Sequence, residues 1–188
     1  VTGWMVMALK SGVLAGLDVD PAALDGARAW LDKVTEPEYG RAGYTARGNG
    51  PSRPQEQMDR FPADKSESLT AVAVLARIFC GEKPTSEMVA KGADLCARSL
   101  PVWDEAAGTI DFYYWYYGTL AMFQVGGEKW KRWNDAASVS SATSGAPATS
   151  SRRARNVSGR STRRTGTVIQ SFRLAFCSSP STTCSSAL

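Results

Sequence analysis

An unbroken aromatic run, Phe112-Tyr113-Tyr114-Trp115-Tyr116-Tyr117, is where residue types and spacing in this chain come closest to chemistry. On a helix such a run turns rings to every side. Tyr113, Trp115 and Tyr116, joined by Trp4 and Phe123, could line an apolar cavity whose π faces hold a hydrophobic ligand or stabilise a cation. The same rings could equally be core, with their phenol hydroxyls satisfied by neighbours. Asp111, directly before the run, and the pair Asp104 and Glu105 would be acid or base carboxylates if buried beside the rings. Asp111 is also placed to be the N-cap of the helix that begins there, accepting bonds from free backbone N–H groups.

Other chemistries are harder to build from these residues. The chain has no histidine, which removes the commonest general base and the commonest metal ligand. Cys80, Cys96, Cys177 and Cys184 are widely spaced and form no disulfide framework. Cys80 and Cys96 fall in different helical runs without Cys-x-x-Cys spacing, so the expectation is no metal and no cofactor. No apolar run reaches the roughly 18 residues that span a bilayer, and no secretory leader is visible. Cytoplasmic placement is the expectation by default, and oligomeric state is not legible.

The elements that would position the aromatic run are helices. Trp4, Met7, Ala8, Val13 and Leu14 approximate helical spacing, which predicts a first helix from Thr2 to Ala15. Starting at Val1 inside that pattern, the chain reads as lacking its true N-terminus. Asp20 followed by Pro21 is a capped start, and Leu24, Ala27, Trp30 and Leu31 supply the apolar stripe of a second helix. From 35 to 66 the glycines and prolines predict a long loop without helix, either a functional flap or a place where order is lost. Its charges Glu36, Glu38, Arg41 and Arg47 are either a cavity gate or solvated.

A third helix follows Ser68 and stops at Gly81, and a fourth begins at Thr85 with Met88, Val89, Ala93, Cys96 and Leu100 on one face. Tyr113 to Val125 is apolar on nearly every side and belongs inside. After Gly126-Gly127, the run Glu128 to Asn134 opens a further helix. Thr2-Gly-Trp-Met-Val-Met-Ala aligns with Thr70-Ala-Val-Ala-Val-Leu-Ala, and Gly26-Ala27 with Gly92-Ala93, a weak internal repeat of helical hairpins that need neighbours to bury their faces.

At Asp135 the composition changes. All six Trp and all six Tyr precede it, whereas residues 136–188 hold 14 Ser, 7 Thr and 7 Arg, no acidic side chain, and only Phe172 and Phe176 as aromatics. Residues 1–134 carry 15 Lys+Arg against 17 Asp+Glu, so the net charge of +4 and the pI near 9.0 belong to the tail. The tail arginines, Arg152 to Arg164, would hold any polyanion by charge. Without interleaved aromatics they predict no specific nucleic-acid partner.

Alternating helices with an aromatic member such as Asp111-Phe-Tyr-Tyr-Trp-Tyr-Tyr-Gly-Thr-Leu-Ala-Met-Phe-Gln124 resemble the α/α-toroid superfamily of terpenoid cyclases and protein prenyltransferases. Val1-Thr-Gly-Trp-Met-Val-Met-Ala-Leu-Lys10, Tyr39-Gly-Arg-Ala-Gly-Tyr44 and the stretch from Tyr113 to Gly127 are most similar to its bacterial prenyltransferase/squalene oxidase repeat branch. The resemblance covers residues 1–134. It implies an all-α partial toroid whose apolar centre binds a hydrophobic or isoprenoid ligand. It also marks two departures. The cyclase acid motif Asp-x-Asp-Asp is absent, its nearest string being the turn Asp18-Val19-Asp20-Pro21. The prenyltransferase zinc site needs Asp-x-Cys and a distant His, and Asp111-Phe112-Tyr113 has tyrosine in place of cysteine.

The resemblance further implies a closing hairpin where the Ser/Thr/Arg run stands. Ser138 to Thr149 can be encoded so that a shifted frame reads Arg-Leu-Leu-Gly-His-Lys-Arg-Gly-Ala-Cys-Asp, and Pro180 to Ser186 so that it reads Val-Tyr-Tyr-Leu-Leu-Val. The expectation is a toroid domain over 1–134 and a disordered tail over 135–188, translated out of frame. Three function classes follow: a hydrophobic-ligand toroid without catalysis in this chain, an enzyme of terpenoid cyclisation or prenyl transfer whose catalytic residues lie in missing repeats, and a repeat scaffold for protein partners.

Overall fold

A computed structural model describes residues 1–144, and over these the protein is all-α: α1 (Thr2–Leu14), α2 (Pro21–Val34), α3 (Gln55–Arg60), α4 (Ser68–Phe79), α5 (Glu87–Arg98), α6 (Phe112–Val125) and α7 (Gly127–Ser144). Phe172, Phe176, Cys177, Cys184 and the arginines from Arg152 to Arg164 lie outside the described residues, as does the larger part of the segment read as out of frame.

The helix starts follow from local chemistry. The Asp20 carboxylate accepts the Ala22 amide at 2.9 Å, with Pro21 at the first helical position, so one otherwise unpaired N–H is satisfied and φ is preset. Asp111 does the same for α6, accepting the Tyr114 amide at 3.1 Å. Between α6 and α7, Gly126 and Gly127 have φ of 72° and 61°, a left-handed pair that only glycine adopts without strain. The chain reverses there, and α7 packs back on α6.

Three hairpins result, and their first helices lie side by side. α4 contacts both α1 and α6, while α2 packs on α1 and α4, α5 on α4, α6 and α7, and α7 on α6 and α5. Central α4 is buried along most of its length, with Ala71, Ala73, Val74, Leu75 and Ala76 all below 5 % exposed. Its small side chains bring the neighbouring backbones close. The Trp4 indole N–H donates to the Tyr117 hydroxyl, joining α1 to α6 across α4.

The 35–66 segment differs from the predicted open loop because it contains α3 and is fastened to the hairpins. A single bridge pairs Thr35 with Ala42, the Ala42 amide donates to Thr70 Oγ1 at 3.3 Å, and Lys91 Nζ donates to the Pro37 carbonyl at 2.8 Å. Arg41 binds Glu67, and Arg53 binds Asp111. These anchors make it a strap over α4, α5 and α6.

The domain boundary at 134/135 is not a boundary of structure. α7 continues through Ser144, Ala137 packs on the core, and Ser140 is buried with its hydroxyl donating to the Pro101 carbonyl at 3.2 Å. Alanine favours helix, and the hydroxyls of Ser141 and Thr143 bond the carbonyls of Ala137 and Val139, four residues back, so the Ser/Thr composition is absorbed within the helix.

Candidate functional site

α6 divides its aromatic run between core and surface. Tyr114, Tyr117, Gly118, Ala121 and Met122 are buried, whereas Phe112 and Tyr116 stand 64 % and 48 % exposed. Trp133 of α7, fully buried, meets the Tyr114 ring edge-on at 5.4 Å and donates its indole N–H to Thr119 Oγ1 at 3.0 Å. The Tyr114 hydroxyl donates to the Ser99 carbonyl at 2.8 Å. For these rings the packing use of the aromatic run is the one realised.

Beside α6 lies a groove of about 450 Å³. Trp115, Tyr116, Leu120 and Phe123 form its α6 wall, Trp130 and Ala137 come from α7, and Met7 and Phe79 from α1 and α4. Trp115 is braced by Trp103 at 6.2 Å and Phe112 at 5.4 Å, and Phe123 by Trp130 at 5.3 Å. Among the described residues the lining contains Thr119, Gln124 and Ser141 as further polar residues, and no charged side chain.

The predicted ligand residues are split between two cavities. Trp115, Tyr116 and Phe123 share the α6 groove. Trp4 and Tyr113 line a different cavity of about 350 Å³, with Tyr44, Pro51, Arg53 and Leu69 around it. There the Arg53 guanidinium sits 5.3 Å from the Tyr113 ring centre and 4.9 Å from that of Phe61, and burial pushes the Tyr113 phenol up from its ordinary pKa.

Asp111 is 6 % exposed and held by Arg53, with Nη2 2.8 Å from Oδ2, while Oδ1 caps α6. It borders a third cavity, about 280 Å³, together with Glu67, Arg60, Lys65 and Tyr114. Glu67 is likewise buried and bonded, by Arg41 at 2.6 Å and by the Thr70 hydroxyl at 2.8 Å. Asp104 and Glu105 lie exposed in a turn, where the Asp104 carboxylate accepts the Ala107 amide. Of the loop charges, Arg41 is committed to Glu67, Arg47 and Glu38 are exposed, and Glu36 is partly so.

Sequence reading missed Met7, Phe79, Thr119, Leu120, Gln124, Trp130, Ala137 and Ser141 as groove residues. The α6 members carried a usable signal: Phe112, Trp115, Thr119 and Phe123 recur at three- and four-residue steps, the spacing of one helix face. The α7 members carried none, because which face α7 turns to α6 is set by tertiary packing.

Among the described residues no three His, Cys, Asp or Glu side chains are grouped to hold a metal, and no helix is long and apolar enough to cross a membrane. No family model, curated protein or solved structure matches this chain. The groove offers apolar surface, aromatic faces and a few neutral hydrogen-bonding groups.

Proposed function

We propose that the α6 groove binds a hydrophobic ligand of isoprenoid type, and that the stacked hairpins are part of an α/α toroid related to terpenoid cyclases and protein prenyltransferases. The observation that carries this reading is the groove itself: about 450 Å³, walled by Trp115, Tyr116, Leu120, Phe123 and Trp130, with no charged residue among the described ones that line it. Ligand sites are typically concave and apolar with a few placed polar groups. The proposal includes no chemical step, since Asp111 and Glu67 are each bonded to an arginine.

Titration of the full chain with farnesol, followed by tryptophan fluorescence, tests it. Binding is expected in the micromolar range and should weaken at least about tenfold in Trp115→Ala and Phe123→Ala, an effect of about 1.4 kcal/mol. Trp115 is only partly buried, so its truncation should cost less stability than the ~3–5 kcal/mol of a fully buried Trp such as Trp133. Wild-type protein that leaves farnesol unbound, or variants that bind it equally well, would refute the reading.

A further inference from the structure

We infer that the α6 groove selects an uncharged long-chain ligand with a single hydroxyl or carbonyl end, and that Gln124 is the residue that receives that end. This rests on the groove being a ligand site and adds the class of ligand and the residue that sets it.

Among the described residues the groove supplies no counter-charge. An ionised carboxylate or phosphate lowered beside Trp115, Leu120 and Phe123 would lose water and meet no cation among the described residues, because none of those that line the groove is charged. Burying an unpaired charge is among the most costly events in a protein. Arg60 and Lys65 belong to the neighbouring 280 Å³ cavity, whose lining shares only Trp115 with the groove. That cavity also presents Glu67 and Asp111, and Arg60 Nε is already given to the Gly108 carbonyl at 2.7 Å.

A neutral polar end needs a hydrogen-bonding partner there. Thr119 Oγ1 accepts the Trp133 indole N–H, and Ser141 Oγ donates to the Ala137 carbonyl. The Tyr116 hydroxyl has no hydrogen-bond partner among the described residues but belongs to a side chain that is 48 % exposed, whereas the partly buried Gln124 amide has no partner among them either and offers both a donor and an acceptor. Gln124 also lies in the last turn of α6, where the unpaired carbonyls give the helix end a partial negative charge. A hydroxyl is welcome there and an anion is opposed. From Phe112 to Gln124 the helix runs about 18 Å, so a tail laid along it is long.

The test is isothermal titration of the full chain with 1-dodecanol below its solubility limit, and with dodecanoate and dodecyl phosphate below their micellar concentrations, at pH 8. The alcohol is expected to bind at least about ten times tighter than either anion. Gln124→Leu should weaken the alcohol about three- to tenfold, the range of one hydrogen bond, and Gln124→Lys should bring dodecanoate to parity with the alcohol or beyond. Anions that bind wild type as tightly as the alcohol overturn the inference, and an unchanged alcohol affinity in Gln124→Leu removes Gln124 from the role. If none of the three binds a chain whose circular dichroism is helical, the groove is not a ligand site and the reading beneath this one fails instead.

Discussion

The indole of Trp133 occupies the space where a Cβ on Gly118 would stand, so that α6 and α7 meet ring against backbone. Trp133 is fully buried, donates to Thr119 and packs edge-on against Tyr114, which leaves it no room to yield. Gly118→Ala is therefore governed by two opposed terms. Alanine in a helix interior is favoured over glycine by about 1 kcal/mol, but a methyl forced into a filled core costs roughly 1–3 kcal/mol or more. Overlap with a ring that cannot move places this case at the upper end, and a net loss of about 2 kcal/mol is expected in urea unfolding. A stabilised variant would mean that the two helices are not in contact there.

Asp111 and Arg53 are 58 residues apart in sequence and form a buried pair that ties the strap to the start of α6. Removing one partner strands the other charge, and such losses run to about 3–5 kcal/mol. Asp111→Ala also removes the cap on Tyr114, about 1 kcal/mol more, so it should be costlier than Arg53→Met. The double variant Arg53→Met/Asp111→Ala should cost less than the two single losses added. Additive losses in that cycle would show that the two side chains do not interact.

Local signals made most of the helical order legible. Asp20-Pro21 marks α2 at its first residue, Ser68 opens α4, and Asp111 and Gly126 bracket α6. What escaped is what depends on distant partners. α3 is only six residues long, set behind Pro51 and Pro54, with the Gln55 amide donating to Asp59 at 3.1 Å, and no periodicity can emerge from so short a run. The fastening of the strap depends on Glu67, Thr70, Lys91 and Asp111, residues whose pairing no local pattern encodes. Of the five aromatic residues that the sequence offers for a ligand, Trp115, Tyr116 and Phe123 fall on one groove because they share a helix face. Trp4 and Tyr113 were grouped with them by type alone, and the fold puts those two on another cavity beside Arg53.

Alkaline pH should unfold this protein early, through two buried acids. Burial pushes the Cys96 thiol from its ordinary pKa up to about 12 and raises the Tyr114 phenol as well. In the unfolded chain these groups ionise near about 8.5 and about 10, so above those values the unfolded state holds fewer protons than the folded one. The stability they contribute is complete below the unfolded values and is lost as pH rises, at up to about 1.4 kcal/mol per pH unit for each group. Urea midpoints measured from pH 7 to 11 are expected to fall steeply. In Cys96→Ala the fall should be shallower between about pH 9 and 11, and an unchanged slope would mean that the thiol ionises freely in the folded protein.

Trp133 is only two residues before Asp135, where the sequence composition changes, and its burial depends on helix that lies beyond that point. A chain ended at Asn134 would place Trp133 in the last turn of α7, where carbonyls are unpaired and the helix frays. It would also lose the apolar contact of Ala137 and the bond from the Ser140 hydroxyl to Pro101. One hydrogen bond contributes about 1 kcal/mol, and the lost apolar burial with the loosening of Trp133 adds at least as much, for a total of about 2–3 kcal/mol. A fragment ended at Ser144 keeps all of these and should unfold at higher urea than one ended at Asn134, with the indole of Trp133 less accessible to acrylamide. Equal midpoints for the two fragments would return the end of the folded unit to residue 134, and with it the reading that nothing after Asp135 supports the core.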